Sequence, residues 1–101
     1  MPEIGARSYE ARAKRRTYLV EYYRPSSSAA DLERVASRVR EAVDQLEREG
    51  RPVRFRHSTI VATDESILCV VEAASEDVVR MAYDRASVTF ERISAALTEP
   101  S

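Results

Sequence analysis

Between residues 29 and 49, apolar side chains recur at intervals of three and four: Leu32, Val35, Ala36, Val39, Ala42, Val43 and Leu46. Arg34, Arg38, Glu41, Asp44 and Arg48 fall mostly off that stripe. The spacing predicts a long helix with one apolar ribbon, and such a ribbon must be buried against another element. Both ends are marked. Ser28 stands at the N-cap with Asp31 three residues on, and Gly50 takes the C-terminal glycine position with Pro52 blocking continuation. A helix with this pattern cannot fold alone, so its flanking segments decide the architecture.

Those segments read as strands. Residues 17–23 (TYLVEYY) are β-branched and aromatic and end at Arg24-Pro25. Tyr18, Val20 and Tyr22 alternate with Leu19, Glu21 and Tyr23, and neither parity is clearly polar, so both faces call for at least partial cover. Residues 53–61 form a second strand in which Val53, Phe55 and His57 share one parity, opposite Arg54 and Arg56. A polar hairpin loop at 63–66 leads to residues 67–72, where Ile67, Leu68, Cys69, Val70 and Val71 run almost unbroken, as in a central strand. Ser75 is placed to cap a shorter helix carrying Glu76 and Asp77 in its first turn and Val78, Val79 and Ala82 on its apolar side. Residues 89–97 complete a fourth, weaker strand.

The order β-α-β-β-α-β, with right-handed crossovers, places both helices on one face of a four-stranded antiparallel sheet. This is a ferredoxin-like α+β domain spanning residues 17–97, preceded by a basic arm at 1–16 and followed by a tail at 98–101. The other face of the sheet is left bare and apolar enough to need a cover. Pairing of two sheets is the economical solution, so the expectation is a homodimer with a cleft at the sheet face.

Bulk properties restrict the functional classes. A chain of 101 residues forms one domain and has no room for a separate catalytic module. Arg7, Arg12, Lys14, Arg15 and Arg16 against Glu3 and Glu10 give the arm a net charge of +3, which leaves −4 on the remainder of a chain whose total is −1. That balance argues against nucleic-acid binding by the whole chain. No apolar run approaches the roughly 18–20 residues that span a bilayer, and the N-terminal residues have no apolar signal core. The single cysteine cannot form an intrachain disulfide, so the expected compartment is the cytoplasm.

Several short blocks resemble one family. They are Tyr18-Leu19-Val20-Glu21-Tyr22-Tyr23 before a proline turn, the stretch from Asp64 through Ile67 and Cys69 to Ala73 with Ser75, and Val79-Arg80 through Arg85-Ala86. Together they are similar to small ferredoxin-like proteins, first catalogued as a domain of unknown function and named for a nickel-binding actinobacterial member. The resemblance implies the fold, dimerisation and, in at least some members, nickel held by histidines. Family members often carry one such histidine near Met81, Ala82 and Tyr83, and another near Val88. None of these four residues is a nickel ligand of that kind. Nickel sites want several imidazole, thiolate or carboxylate donors, and His57 is the one imidazole in the chain. Two copies of His57 meeting at a dimer axis would be the remaining route to a metal.

The residues that can carry chemistry are few. His57 is the one imidazole, the side-chain type whose unperturbed charge change falls nearest neutrality. Cys69 lies in the apolar central strand and reads as a small core hydrophobe, with nucleophilic use requiring a lowered pKa. Glu21 and Glu72 each interrupt an apolar strand, so each sits at a wet edge, pairs with a cation or serves as an acid or base. Arg54 and Arg56 are available as partners or as a grip on an anion. Tyr18, Tyr22, Tyr23 and Tyr83 suit core or interface packing, or the binding of a planar aromatic ligand. No phosphate loop, metal-spaced cluster or nucleophile elbow is present. The reading is a small-ligand-binding homodimer. The alternative is a cofactor-free cyclase, isomerase or oxygenase acting on a small aromatic or polyketide-like substrate, with His57, Glu21 and Glu72 as acid and base; that alternative rests on fold analogy.

Overall fold

A computed structural model describes residues 15–96, and the expected basic arm and tail fall mostly outside those residues. The elements run β1 (Arg16–Tyr23), α1 (Ala29–Arg48), β2 (Val53–Val61), a single 3-10 turn (Ala62–Asp64), β3 (Ser66–Ala73), α2 (Glu76–Ala86) and β4 (Arg92–Ala96). The four strands form one antiparallel sheet in the order β2-β3-β1-β4. The βαββαβ order and this strand order make the fold ferredoxin-like, with β3 and β1 at the centre as expected.

Local chemistry accounts for the helix ends. The Ser28 side chain accepts from the Asp31 backbone N–H, and the Asp31 carboxylate accepts from the Ser28 backbone N–H. These reciprocal bonds satisfy donors that the helix itself leaves open. They also hold the Asp31 carboxyl below its ordinary range, the bond from Ser28 being the main cause. Gly50 sits at φ 91° just past the helix, a conformation that side chains with a Cβ resist. At α2 the N-cap is Ser75, but its side chain makes no capping bond, contrary to expectation.

The helices cover one face of the sheet. Leu32, Val39, Val43 and Leu46 of α1 are fully buried, as is Val79 of α2. Their counterparts on the sheet are Val20 and Tyr22 of β1, Val53 of β2, and Ile67, Cys69 and Val71 of β3. Burying each such side chain contributes about 1.5–3 kcal/mol, and among the described residues no polar or charged residue is buried with them. Across the sheet, Glu21 and Tyr23 are exposed, while Leu19, Leu68 and Val70 are half-buried. The apolar run of β3 is therefore enclosed on the helix side and only partly covered on the other.

Two expectations are corrected. Pairing of β2 with β3 slips at Arg56, so that Phe55 opposes Val71 and His57 opposes Val70. One extra residue reverses the parity beyond it. His57 therefore shares the open face with Val70 and does not follow Val53 and Phe55 toward the helices. Strand four begins at Arg92 rather than near residue 89. The chain before it is held by other contacts: the Val88 N–H donates to the Tyr83 carbonyl, and the Phe90 ring packs edge-on against Tyr83 with centroids 5.4 Å apart.

Candidate functional site

The sequence-selected residues divide between the two sides of the sheet. Tyr18, Tyr22 and Tyr83 lie in the core on the helix side. Tyr23, Glu21, His57 and Glu72 belong to the open side by strand register. The expected tyrosine cluster is thus not a single lining: three of its members pack inward and one faces out.

The inward group forms a small polar knot. The Tyr22 hydroxyl and the Cys69 sulfur share a hydrogen bond of 3.2 Å. The Tyr22 and Tyr83 rings meet edge to face at 5.6 Å. The Tyr83 hydroxyl is buried beside the Tyr22 hydroxyl and the Cys69 sulfur, without the geometry of a full hydrogen bond to either. Burial pushes the Cys69 thiol up from its ordinary value, and it drives both tyrosine hydroxyls far up as well. All three groups stay protonated near neutral pH. A protonated, enclosed thiol is a poor nucleophile, so the arrangement matches the core reading of Cys69.

The open face carries the charged residues. Arg92 Nε lies 3.2 Å from Glu21 Oε2 across the β1–β4 pair, where the two residues are direct partners. Arg56 Nε lies 3.8 Å from Glu72 Oε2. Arg54 is drawn instead toward Glu47 of α1, also at 3.8 Å. The three expected acid–base groups do not converge. Glu21 opposes Leu68, and Glu72 stands four residues further along β3, roughly 13 Å away at strand rise. His57 sits between those levels, on β2.

A cleft of about 370 Å³ opens where β1 ends and β3 begins, lined by Glu21, Tyr23, Val61, Leu68, Glu91 and Arg92 among others. Local turns build its rim. Glu65 adopts a left-handed conformation (φ 54°) that closes the hairpin, its carbonyl accepts from Arg24 N–H, and its carboxylate accepts from Ser26 N–H at 2.7 Å. The Glu91 N–H donates to the Glu21 carbonyl at 2.8 Å and ties the start of β4 to β1. Glu21 and Tyr23 were visible in the sequence as site candidates, whereas Leu68, Asp64, Glu91 and Arg92 were not. The available signal was that Arg92 and Glu21 oppose each other once β4 is registered on β1.

A second, shallower depression of about 640 Å³ lies between α2 and the segment before β4, with Asp77, Arg80, Met81, Asp84, Thr89 and Phe90 along it. There the Arg80 guanidinium lies 5.3 Å from the Phe90 ring centre and donates to Glu76 at 2.8 Å.

A ferredoxin-like α+β domain with two helices on one sheet face and a cleft on the other is the class these features define. Within it, the family model for nickel-responsive proteins of the SCO4226-like type matches residues 18–95, and the chain belongs to that family. The crystal structure of SCO4226 from Streptomyces coelicolor A3(2) has the same fold, with a TM-score of 0.65 at 15% identity, covering 83% of this chain and 99% of that one. No curated protein matches the chain.

The family description raises nickel, and the residues present do not fit it. Among the described residues, no group of three or more His, Cys, Asp or Glu side chains is placed to hold a metal. At the positions where the resemblance implies histidine, Ala82, Tyr83 and Val88 are buried and Met81 is half-buried. Arg80 brings a fixed positive charge to the same depression, which opposes a dication. His57 lies on the open face, away from α2. No helix among the described residues is long and apolar enough to cross a membrane.

Proposed function

We propose that the chain is a small-ligand-binding protein that works as a homodimer, with the ligand held in the cleft on the open sheet face. The observation that carries this reading is the cleft itself. It combines an apolar floor at Leu68 and Val61 with the exposed Tyr23 ring and a charged rim at Glu21 and Arg92, the mixture expected of a small-molecule site. Spacing favours binding over turnover, because Glu21, His57 and Glu72 do not share one reacting point.

The second copy is argued from the rest of the same face. Leu19 and Val70 form a half-buried apolar centre away from the cleft, with the oppositely charged pair Arg56–Glu72 at its edge. A face that carries both signs around an apolar stripe complements a rotated copy of itself. Two measurements test the reading. Sedimentation equilibrium is expected to give a dimer for the wild type and a folded monomer for Val70→Glu, and a wild-type monomer overturns the assembly. Titration with the neutral indole alcohol tryptophol is expected to shift the amide NMR signals of Tyr23 and Leu68. Shifts confined to other residues overturn the cleft.

A further inference from the structure

The cleft has a charge character that narrows its ligand. Glu21, Asp64 and Glu91 bring three carboxylates to it, and Arg92 brings one guanidinium, already engaged with Glu21 at 3.2 Å. Among the described residues, Asp64 and Glu91 have no cationic partner within ion-pair distance, and both are exposed. The adjacent Arg24 does not cancel them. Its guanidinium donates to the Tyr23 carbonyl at 2.8 Å, lies 5.7 Å from the Tyr22 ring centre and does not line the cleft. Glu65, the other nearby carboxylate, is occupied by the Ser26 N–H.

The apolar part of the cleft is equally defined. Leu68 and Val61 form a hydrophobic patch, and Tyr23 is 54% exposed beside it, so its ring is available to a ligand. An exposed phenol ring attracts cations through its face as well as apolar groups through contact. A neutral or anionic ligand would use the patch but leave the carboxylates without a partner or repel them. A ligand with both an apolar body and a positive charge uses all of it.

We infer that the cleft takes an organic cation: an amine with an aromatic or aliphatic body that packs on Tyr23, Val61 and Leu68 while its ammonium group faces the acidic rim to which Asp64, Glu91 and Glu21 contribute. This rests on the cleft being the ligand site. The volume of about 370 Å³ suits a body the size of a bicyclic ring with a short side chain.

The test uses three probes with one skeleton and different charge: tryptamine, tryptophol and indolepropanoate, each titrated into the full chain and followed by amide shifts. The expected result is that all detectable binding maps to Tyr23, Val61 and Leu68. Tryptamine should bind roughly fivefold to tenfold more tightly than tryptophol, and indolepropanoate most weakly. In the double variant Asp64→Asn, Glu91→Gln, at two exposed positions where no loss of fold is expected, the preference for the amine should fall to about twofold or less while tryptophol affinity is kept. Equal affinity for tryptamine and tryptophol, or tighter binding of indolepropanoate, overturns the cationic ligand and leaves the cleft standing. A preference for tryptamine that survives the double variant assigns the cation to other groups and overturns the inference. Failure of all three probes to shift the cleft residues overturns the cleft reading and the inference together.

Discussion

The two faces of the sheet are built from the same strands and alternate residue by residue, yet they obey different physics. On the helix side Val20, Tyr22, Ile67, Cys69 and Val71 are sealed by α1 and α2, and even the polar atoms of Tyr22 and Cys69 satisfy each other. On the open side Leu19, Leu68 and Val70 are only half-covered, and Glu21, Arg92, Arg56 and Glu72 pair in water. The first face provides stability and holds its titratable groups neutral. The second contributes little to the stability of one copy, so its residues are free to serve binding. Burial separates the two roles more sharply than residue type does, because tyrosine and leucine occur on both sides.

The largest test of this contrast is truncation. Leu32→Ala, in the sealed core, is expected to cost about 2–5 kcal/mol in denaturant unfolding, whereas Leu68→Ala on the open side, measured at a concentration where the chain is monomeric, should cost less than about 1 kcal/mol. Comparable losses would mean that the open face is part of the monomer's core.

Alkaline titration comes next. Burial raises the Tyr22 and Tyr83 hydroxyls above their ordinary value of 10.0 and the Cys69 thiol above 9.0. A group whose folded pKa is raised binds its proton more tightly in the native state. The stability it contributes is complete below the unfolded pKa and is lost as pH rises beyond it. Stability should therefore hold to about pH 9 and then fall, by up to about 1.4 kcal/mol per pH unit for each group that ionises on unfolding. The double variant Tyr22→Phe, Tyr83→Phe should flatten that decline, and an unchanged slope would locate the lability elsewhere.

Single hydroxyl deletions sharpen the picture further. Tyr22→Phe removes a buried hydrogen bond to Cys69 and should cost about 1 kcal/mol. Tyr83→Phe removes a buried hydroxyl whose polar neighbours, Tyr22 and Cys69, are already engaged with each other, and should cost less than Tyr22→Phe. Equal costs would show that Tyr83 has a partner, such as an enclosed water. The smallest effect is expected at His57 and from nickel. His57→Ala should change stability by less than about 0.5 kcal/mol, and calorimetric titration of nickel into untagged protein should give no saturable heat. Stoichiometric uptake that is lost in His57→Ala would make His57 a nickel ligand.

Much of the fold was legible because its signals are local and redundant. The stripe from Leu32 to Leu46, the Ser28–Asp31 capping pair and Gly50 each point to α1, and the apolar run after Ser66 marks a central strand. The candidate site was legible only in part. Glu21 and Tyr23 stood out as an acid and an aromatic on one strand parity, and both line the cleft. His57 was given the parity of Val53 and Phe55, and the bulge at Arg56 that reverses it depends on pairing with β3 and leaves no signature in a period-two pattern. Strand parity already set Tyr18 and Tyr22 apart from Tyr23 in the sequence, but only burial shows that the first two belong with Tyr83 to the core.

The sequence by itself determined the elements, their order and the ferredoxin-like arrangement, because hydrophobic period, capping residues and turn chemistry act over a few residues and all agree. It also contained the reason for doubting a metal, in having one histidine. Only the tertiary structure decided which carboxylate meets which arginine, where His57 points and where the cleft opens. Those outcomes depend on register between strands far apart in the chain, as when Arg92 is set opposite Glu21 and Leu68 beside it. A one-residue slip changes every such pairing while leaving the local pattern nearly intact.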